Sequence, residues 1–460
     1  MRILYICVVI AFFSCSKEAF LSEKPDKSDV VPTTLAELQA VLDQDRDMNG
    51  MGTSGRGPVP NLGEIGADSY YVTDQTFNSV LAKQMQNYYS WSTEPYEGME
   101  EYSWRWPYLS VFYANVVLDK LKATDVSISH TDEYNYLYGS ALFYRAHAYY
   151  QLAQVFAPPY EAEKAGTLPG IPLRESADFN TPNKWVSLEE VYTVIIDDLK
   201  RSVELMGSQV RFPKTRPSGH AALGLLARVY LTMQDFAQAR IFAESALGVG
   251  DELLDYNTLN TGLSYTFSTV HLKNPEIIFA CNMVGSRGSS YPTRDFFALV
   301  QPDLLTLYKP GDLRRDAFFK NNSNGTVSYK GSYNGDDYFF TGVATSELYL
   351  ILAECYARGG LLDESIDLLN RLLEKRWNKT DAFVPLKVAT AEEALEMVFE
   401  ERRKELVFRG LRWTDIRRLN IEGAGIVQSR TINGTKIEIL PNDARYVWPL
   451  PPEVRAFNSP

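Results

Sequence analysis

The sequence predicts a mainly α fold built from packed helix pairs, with small β-hairpins. Three observations carry that prediction. Apolar and small residues recur at helical spacing through long stretches, including 132–156 and 219–246. Several such stretches open on an N-cap pattern, as at Thr34 with Glu37 and at Ser187 with Glu190. Turn signals beside β-prone residues are confined to 249–345 and to the tail after Ile426.

The elements follow in order. A helix begins after Thr34 and runs to Asp45. Glycines and prolines crowd 50–63, which reads as loop. Helical spacing returns over Trp106–Leu121 and over Asp132–Phe156, where Pro158-Pro159 ends it because the residue before a proline avoids the α region. The proline-bearing stretch 157–185 reads as a long irregular connection, and the next helix runs from Leu188 to Met206. In 249–345, Asn321-Asn322-Ser323-Asn324-Gly325 and Asn334-Gly335 are turn signals flanked by β-prone residues, so a small hairpin is expected in a loop-rich region. A later helix spans Thr390–Arg409, a short one follows over 411–420, and the tail has β character around Asn433-Gly434.

The best-ordered segment is GHAALGLLARVYLTMQDFAQARIFAESAL, residues 219–247. Leu226, Ala227 and Tyr230 lie on its first helix, Phe236 at the turn, and Ala239 and Ala246 on its second. These offsets resemble a tetratricopeptide repeat, in which alanines let two helices approach closely. A second copy places Leu352, Ala353, Tyr356 and Leu362 at the matching positions, with Ser365 and Leu372 where alanines stood. A right-handed scaffold of such repeats needs three or more helix pairs to bury a continuous core, so earlier helices such as 132–156 are expected to supply degenerate partners.

The N-terminus reads as an address. Arg2 precedes an apolar run from Ile3 to Phe13, and Ser14-Cys15 follows. Such a run is too short for a membrane-spanning helix, which needs about 20 residues, and it suits the core of a secretory signal. The pattern resembles a bacterial lipoprotein signal over 1–14, with Cys15 acylated and 15–34 as a tether. Acyl chains contribute about 0.8 kcal/mol per buried methylene, enough together for stable anchoring. Residues 35–460 are then expected to form one domain with an N-terminal part over about 35–215 and a C-terminal part over about 216–460. Cys281 and Cys355 are the cysteines left in the body, and Cys355, on an apolar helix face, reads as a small core residue rather than half of a disulfide.

Composition excludes several functions. The 460 residues carry 46 Lys and Arg against 58 Asp and Glu, a net charge of −12, which disfavours a nucleic-acid binder. The four histidines lie far apart, so no metal site and no cofactor is predicted. Neither a nucleophile elbow nor a phosphate loop is present, and no enzymatic activity is expected. The cluster Glu401, Arg402, Arg403 and Glu405 has the helical spacing of mutually paired charges, extended by Arg412 and Asp415, and reads as structural.

Several segments together resemble the SusD/RagB family, nutrient-capturing surface lipoproteins of Bacteroidetes-type bacteria. The residues are Gly66-Ala67-Asp68, Tyr113-Ala114-Asn115, Arg145-Ala146 with Tyr149 and Leu152, and Arg216-Pro217-Ser218-Gly219. Most specific are Glu401-Arg402-Arg403-Lys404-Glu405-Leu406 and Gly410-Leu411-Arg412-Trp413, with Trp448-Pro449-Leu450-Pro451 near the end. Arg409, Leu411 and Ser459 depart from the usual pattern. The resemblance implies a non-catalytic protein anchored on the outer face of the outer membrane. It also implies a SusC-like TonB-dependent porin as partner, and a ligand face built from loops.

Aromatic residues are 13% of the chain. A flat ring receives the C–H face of a sugar, while polar neighbours bond its hydroxyls, so glycan is the first ligand class, with peptide capture or a structural scaffold as alternatives. Trp91, Tyr88 and Tyr96 lie among Ser90, Ser92, Thr93, Pro95 and Gly98, a loop context that predicts exposure, and Tyr70 and Tyr71 stand in a similar one. Trp106, Tyr108, Phe112 and Tyr113 follow the helical pattern and are assigned to core. The family's insertion after the central repeat adds Arg287, Tyr291 and Arg294 as ligand candidates.

Overall fold

The computed structural model describes residues 32–52, 55–124, 131–208, 212–269, 273–285, 298–331, 333–336 and 338–458. The expected lipidation site Cys15 and the candidates Arg287, Tyr291 and Arg294 lie outside them. Ten helices of eight or more residues dominate the described residues: α1 Leu35–Leu42, α2 Tyr102–Lys122, α3 Asp132–Phe156, α4 Leu188–Met206, α5 Gly219–Thr232, α6 Phe236–Val249, α7 Thr345–Arg358, α8 Leu362–Glu374, α9 Ala391–Glu405 and α10 Arg412–Ile421. The mainly α prediction holds. None of the described helices is long and apolar enough to cross a membrane.

Their start signals act as the sequence suggests. Thr34 and Glu37 close a capping box on α1, and the hydroxyls of Ser187 and Thr390 accept the N–H groups of Glu190 and Glu393. Two boundaries differ. The first helix stops at Leu42, and a separate turn of helix covers Asp45–Met48. Helix α2 begins at Tyr102, earlier than the pattern indicated, because the Glu101 carboxylate accepts the Ser103 N–H at 2.6 Å and caps the extra turn ahead of Pro107.

From α2 to α8 each helix packs on the next, and α9 packs on α7 and α8. The unbroken row includes α6 on α7, although a long insertion separates them in sequence. Ala239, Ala243 and Ala246 are fully buried, which lets α6 approach its neighbours closely. Buried ion pairs link distant elements: Arg228 on α5 to Glu347 on α7 at 2.6 Å, and Arg376 to Glu276 and Glu405 at 2.7 and 2.8 Å. In the charged cluster Arg402 meets Asp415 as expected, while Glu401 and Glu405 bind Arg314. Arg412 leaves the cluster for Asp68.

Among the described residues ten short strands pair antiparallel, two by two: β1 Tyr70–Tyr71, β2 Pro169–Leu173, β3 Lys184–Ser187, β4 Ile277–Phe279, β5 Leu299–Val300, β6 Phe319–Asn321, β7 Val327–Tyr329, β8 Val343–Ala344, β9 Gln428–Ile432 and β10 Thr435–Ile439. The hairpins β6–β7 and β9–β10 fall where turn chemistry placed them, and Asn433-Gly434 turns the second with φ of 51° and 75°. The pair β2–β3 lies inside the supposedly irregular connection, where Pro172 faces Trp185 and Leu173 faces Lys184. Prolines are tolerated in so short an edge pair because a missing N–H there breaks no interior ladder.

Candidate functional site

The loop aromatics chosen from sequence are not a surface, which corrects the expectation of exposure. Trp91 is 3% exposed, and Tyr70, Tyr88 and Tyr96 are equally buried. The cause is Arg430 on β9. Its guanidinium carbon lies 4.1 Å from the ring centres of Trp91 and Tyr89 and 5.3 Å from that of Tyr70, so three rings cage one cation. The Trp91 indole N–H donates to the Gly66 carbonyl at 3.0 Å. Tyr88 donates to the Glu101 carboxylate and packs edge-on against Tyr96 and Trp448, and the Tyr96 hydroxyl donates to the Pro449 carbonyl. These rings bind the N-terminal part to the C-terminal tail. Tyr71 is only partly buried and borders a separate groove of about 330 Å³ beside Gln301 and Thr431.

Another ring set forms an open cleft of about 530 Å³, within the range of ligand clefts. Trp106, Tyr108 and Phe112 on α2 form one wall, and Pro172, Arg174 and Phe179 from β2 and its following loop form the other. Arg56, Arg105 and Glu453 complete the rim. Assigning Trp106, Tyr108 and Phe112 wholly to core is therefore also corrected, since each lines this cleft. The reason lies in α2 itself. Its buried face includes Trp104 but is otherwise largely small or slender, as at Ser103, Ser110, Ala114 and Asn115, which brings α3 and the body close and leaves Trp106, Tyr108 and Phe112 to the flank.

The rings are stacked in pairs. Tyr102 lies on Trp106 with centres 5.3 Å apart and planes 6° apart, and Phe112 lies on Phe179 at 5.0 Å and 26°. The outer members of these pairs, Tyr102 and Phe179, are 49% and 77% exposed. Guanidinium carbons of Arg56 and Arg105 sit 4.7 and 4.9 Å from the Trp106 ring centre. Arg56 pairs with the buried Asp47 at 3.3 Å, and Arg105 pairs with Glu100. At the floor, the Tyr108 hydroxyl donates to the Pro172 carbonyl at 2.7 Å, and burial raises its pKa well above the usual phenol range, keeping it a donor. Arg174 is held through its backbone. Its carbonyl accepts the Asn115 side-chain amide and the Tyr149 hydroxyl, both at 2.7 Å, and its N–H donates to the same hydroxyl oxygen at 2.8 Å.

Sequence reasoning missed Phe179 and Arg174, and one signal was available. Phe179 stands alone among Asp178, Asn180, Thr181, Pro182 and Asn183, where a turn-forming loop offers a ring no core.

Comparison with known proteins identifies the relatives of this fold. Residues 19–231 match the SusD-like_3 family, described as starch-binding and associating with the outer membrane, and residues 319–454 match SusD_RagB, the SusD family. The chain belongs to the SusD/RagB family. A SusD-like protein P2 of Formosa agariphila is 24% identical over 426 residues, 79% of either chain. A SusD superfamily protein of Bacteroides fragilis superposes with a TM-score of 0.73 at 20% identity, covering 93% of this chain and 98% of that one. A SusD-like carbohydrate binding protein of Bacteroides vulgatus does so at 0.67 and 18%, covering 93% and 97%. In this SusD-family chain, two of the motifs that mark the family meet in space. The Arg412 guanidinium bridges both oxygens of Asp68 at 2.8 Å, and Gly410 donates its N–H to Glu64 at 2.9 Å. Those motifs hold the fold together and lie outside the lining of the cleft.

Proposed function

We propose that this protein is a non-catalytic carbohydrate-binding protein that holds an oligo- or polysaccharide in the α2 cleft. One observation carries the reading: two stacked ring pairs, each with an exposed outer ring, stand beside guanidinium donors and the Asn183 amide that also lines the cleft. A pyranose presents a C–H face to such a ring and hydroxyls to such donors. The family descriptions and the carbohydrate-binding relative support the ligand class. Among the lining residues the carboxylates number one, Glu453, whereas glycosidic cleavage ordinarily uses two facing carboxyl groups. Acylation at Cys15 would place the protein on the outer membrane surface, where it passes its ligand to a SusC-like TonB-dependent porin.

Affinity gels cast with single polysaccharides test the reading on the mature protein. Retardation by at least one glycan is expected, reduced several-fold in Phe179→Ala and Trp106→Ala. Because Phe179 is mostly exposed, its variant should melt at the same temperature as the parent. Product release from the bound glycan would sink the non-catalytic claim. Binding of oligopeptides without any glycan would replace the ligand class, and failure to co-purify with a porin would remove the delivery role.

A further inference from the structure

We infer that the cleft selects an acidic saccharide, one carrying a carboxylate or a sulfate ester, through Arg174 acting beside the Phe179 ring. The inference rests on the carbohydrate-binding reading and sharpens it to a ligand class. The chain as a whole carries −12, yet this cleft is lined by three arginines against one carboxylate. The three are not equivalent. Arg56 holds Asp47, which it shares with Arg46, and Arg105 holds Glu100, so each already spends donors on a protein carboxylate. Arg174 has no ion pair among the described residues. Among those residues its side chain donates one hydrogen bond, from Nη2 to the Asp178 carbonyl at 3.1 Å, and none of them takes Nε or Nη1.

Nη2 carries two hydrogens and gives one to Asp178, so one edge of the guanidinium, Nη2 with Nη1 or Nη2 with Nε, still offers two parallel N–H groups to the two oxygens of a carboxylate or sulfate. Such charged hydrogen bonds are roughly twice as strong as those to a neutral hydroxyl. Placement favours the same ligand. The Arg174 guanidinium carbon is 5.9 Å from the Phe179 ring centre. A sugar stacked on that ring stands about 4 Å above it at contact distance, so a charged substituent on its edge falls within reach of Arg174. The backbone clamp by Asn115 and Tyr149 fixes the root of the side chain before binding, which lowers the entropy lost in ordering it.

The test uses the mature chain with polygalacturonate and alginate as carboxylate probes, carrageenan as the sulfate probe, and galactan and pullulan as neutral probes. The expected result is binding to at least one acidic polymer, at least tenfold tighter than to either neutral one, and weakening as salt rises. Arg174→Ala should abolish that preference, and Arg174→Lys should restore it only in part. Phe179→Ala should weaken every ligand. Binding confined to the carboxylate or to the sulfate arm identifies which anion the guanidinium reads. Equal binding of neutral polymers, unchanged in Arg174→Ala but lost in Phe179→Ala, would overturn the acidic preference and leave carbohydrate binding intact. Absence of binding to every polymer would overturn both.

Discussion

Glu64 is buried with one carboxylate oxygen bonded to the Gly410 N–H and the other unbonded. Burial raises its pKa to about 7, and Gly410 offsets only part of that rise. A carboxyl with a folded value above its unfolded value of 4.5 binds a proton preferentially in the native state. Its contribution to stability is therefore complete below about pH 4.5 and is lost as pH climbs through 7, a swing of about 3 kcal/mol. Glu64→Gln keeps an acceptor for Gly410 and removes the ionisation. Its melting temperature should match the parent near pH 4.5 and exceed it at pH 8; equal temperatures at both would refute the assignment. His147 acts in the opposite sense. Burial lowers its pKa to about 3, so it disfavours the native state as pH falls below its ordinary 6.5. Cys281 and Cys355 are buried and unpaired, and burial pushes both thiols up to about 12. A soluble form beginning after Cys15 should show no thiol reactive toward Ellman's reagent until it is unfolded, when two should appear.

At the scale of elements, the segment from Leu62 to Asp68 and helix α10 behave as one clasp. Trp413 is buried over Gly63 and Gly66, and a Cβ added to Gly66 would lie 2.7 Å from its ring. Gly66→Ala must displace the indole and should cost about 1–3 kcal/mol. Asp68→Ala should cost more, about 3–5 kcal/mol, because it takes from two partly buried guanidiniums, Arg412 and Arg403, the one carboxylate they share. Chemical denaturation of both variants checks the order, and a smaller loss in Asp68→Ala would contradict it. The element scale also explains what the sequence could reveal. Caps, helical spacing and the Asn433-Gly434 turn are local, so the helices and two hairpins were legible to within a few residues. The cleft was not, because ring exposure depends on which neighbours the chain brings up. Trp91 sits in a polar loop yet is buried by Arg430, 339 positions later. Trp106 sits on a helix yet lines the opening, because the small residues of α2 face inward.

Across the whole molecule, the same contacts imply that neither end of the chain folds alone. The N-terminal part leaves Tyr70, Tyr89 and Trp91 without the cation they surround, and the Ile65 and Ala67 carbonyls without the Arg430 donors they accept at 2.5 and 3.0 Å. The C-terminal part leaves Arg228 and Arg418 in place beside Glu347 and Glu354, but removes helix α3, whose Val155 carbonyl accepts the Trp448 N–H at 3.0 Å. Uncovered buried donors and acceptors each cost about 1–3 kcal/mol, a large share of a typical net stability of 5–15 kcal/mol. Calorimetry of residues 35–460 should therefore show one transition with equal calorimetric and van't Hoff enthalpies. A chain ending at Ile426, which keeps every long helix but loses β9 and the residues after it, should lose its near-ultraviolet aromatic dichroism while retaining much of its helical signal. If that truncated chain instead kept native aromatic dichroism and glycan retardation, the Arg430 cage would be dispensable, and the cleft would stand on the helical row alone.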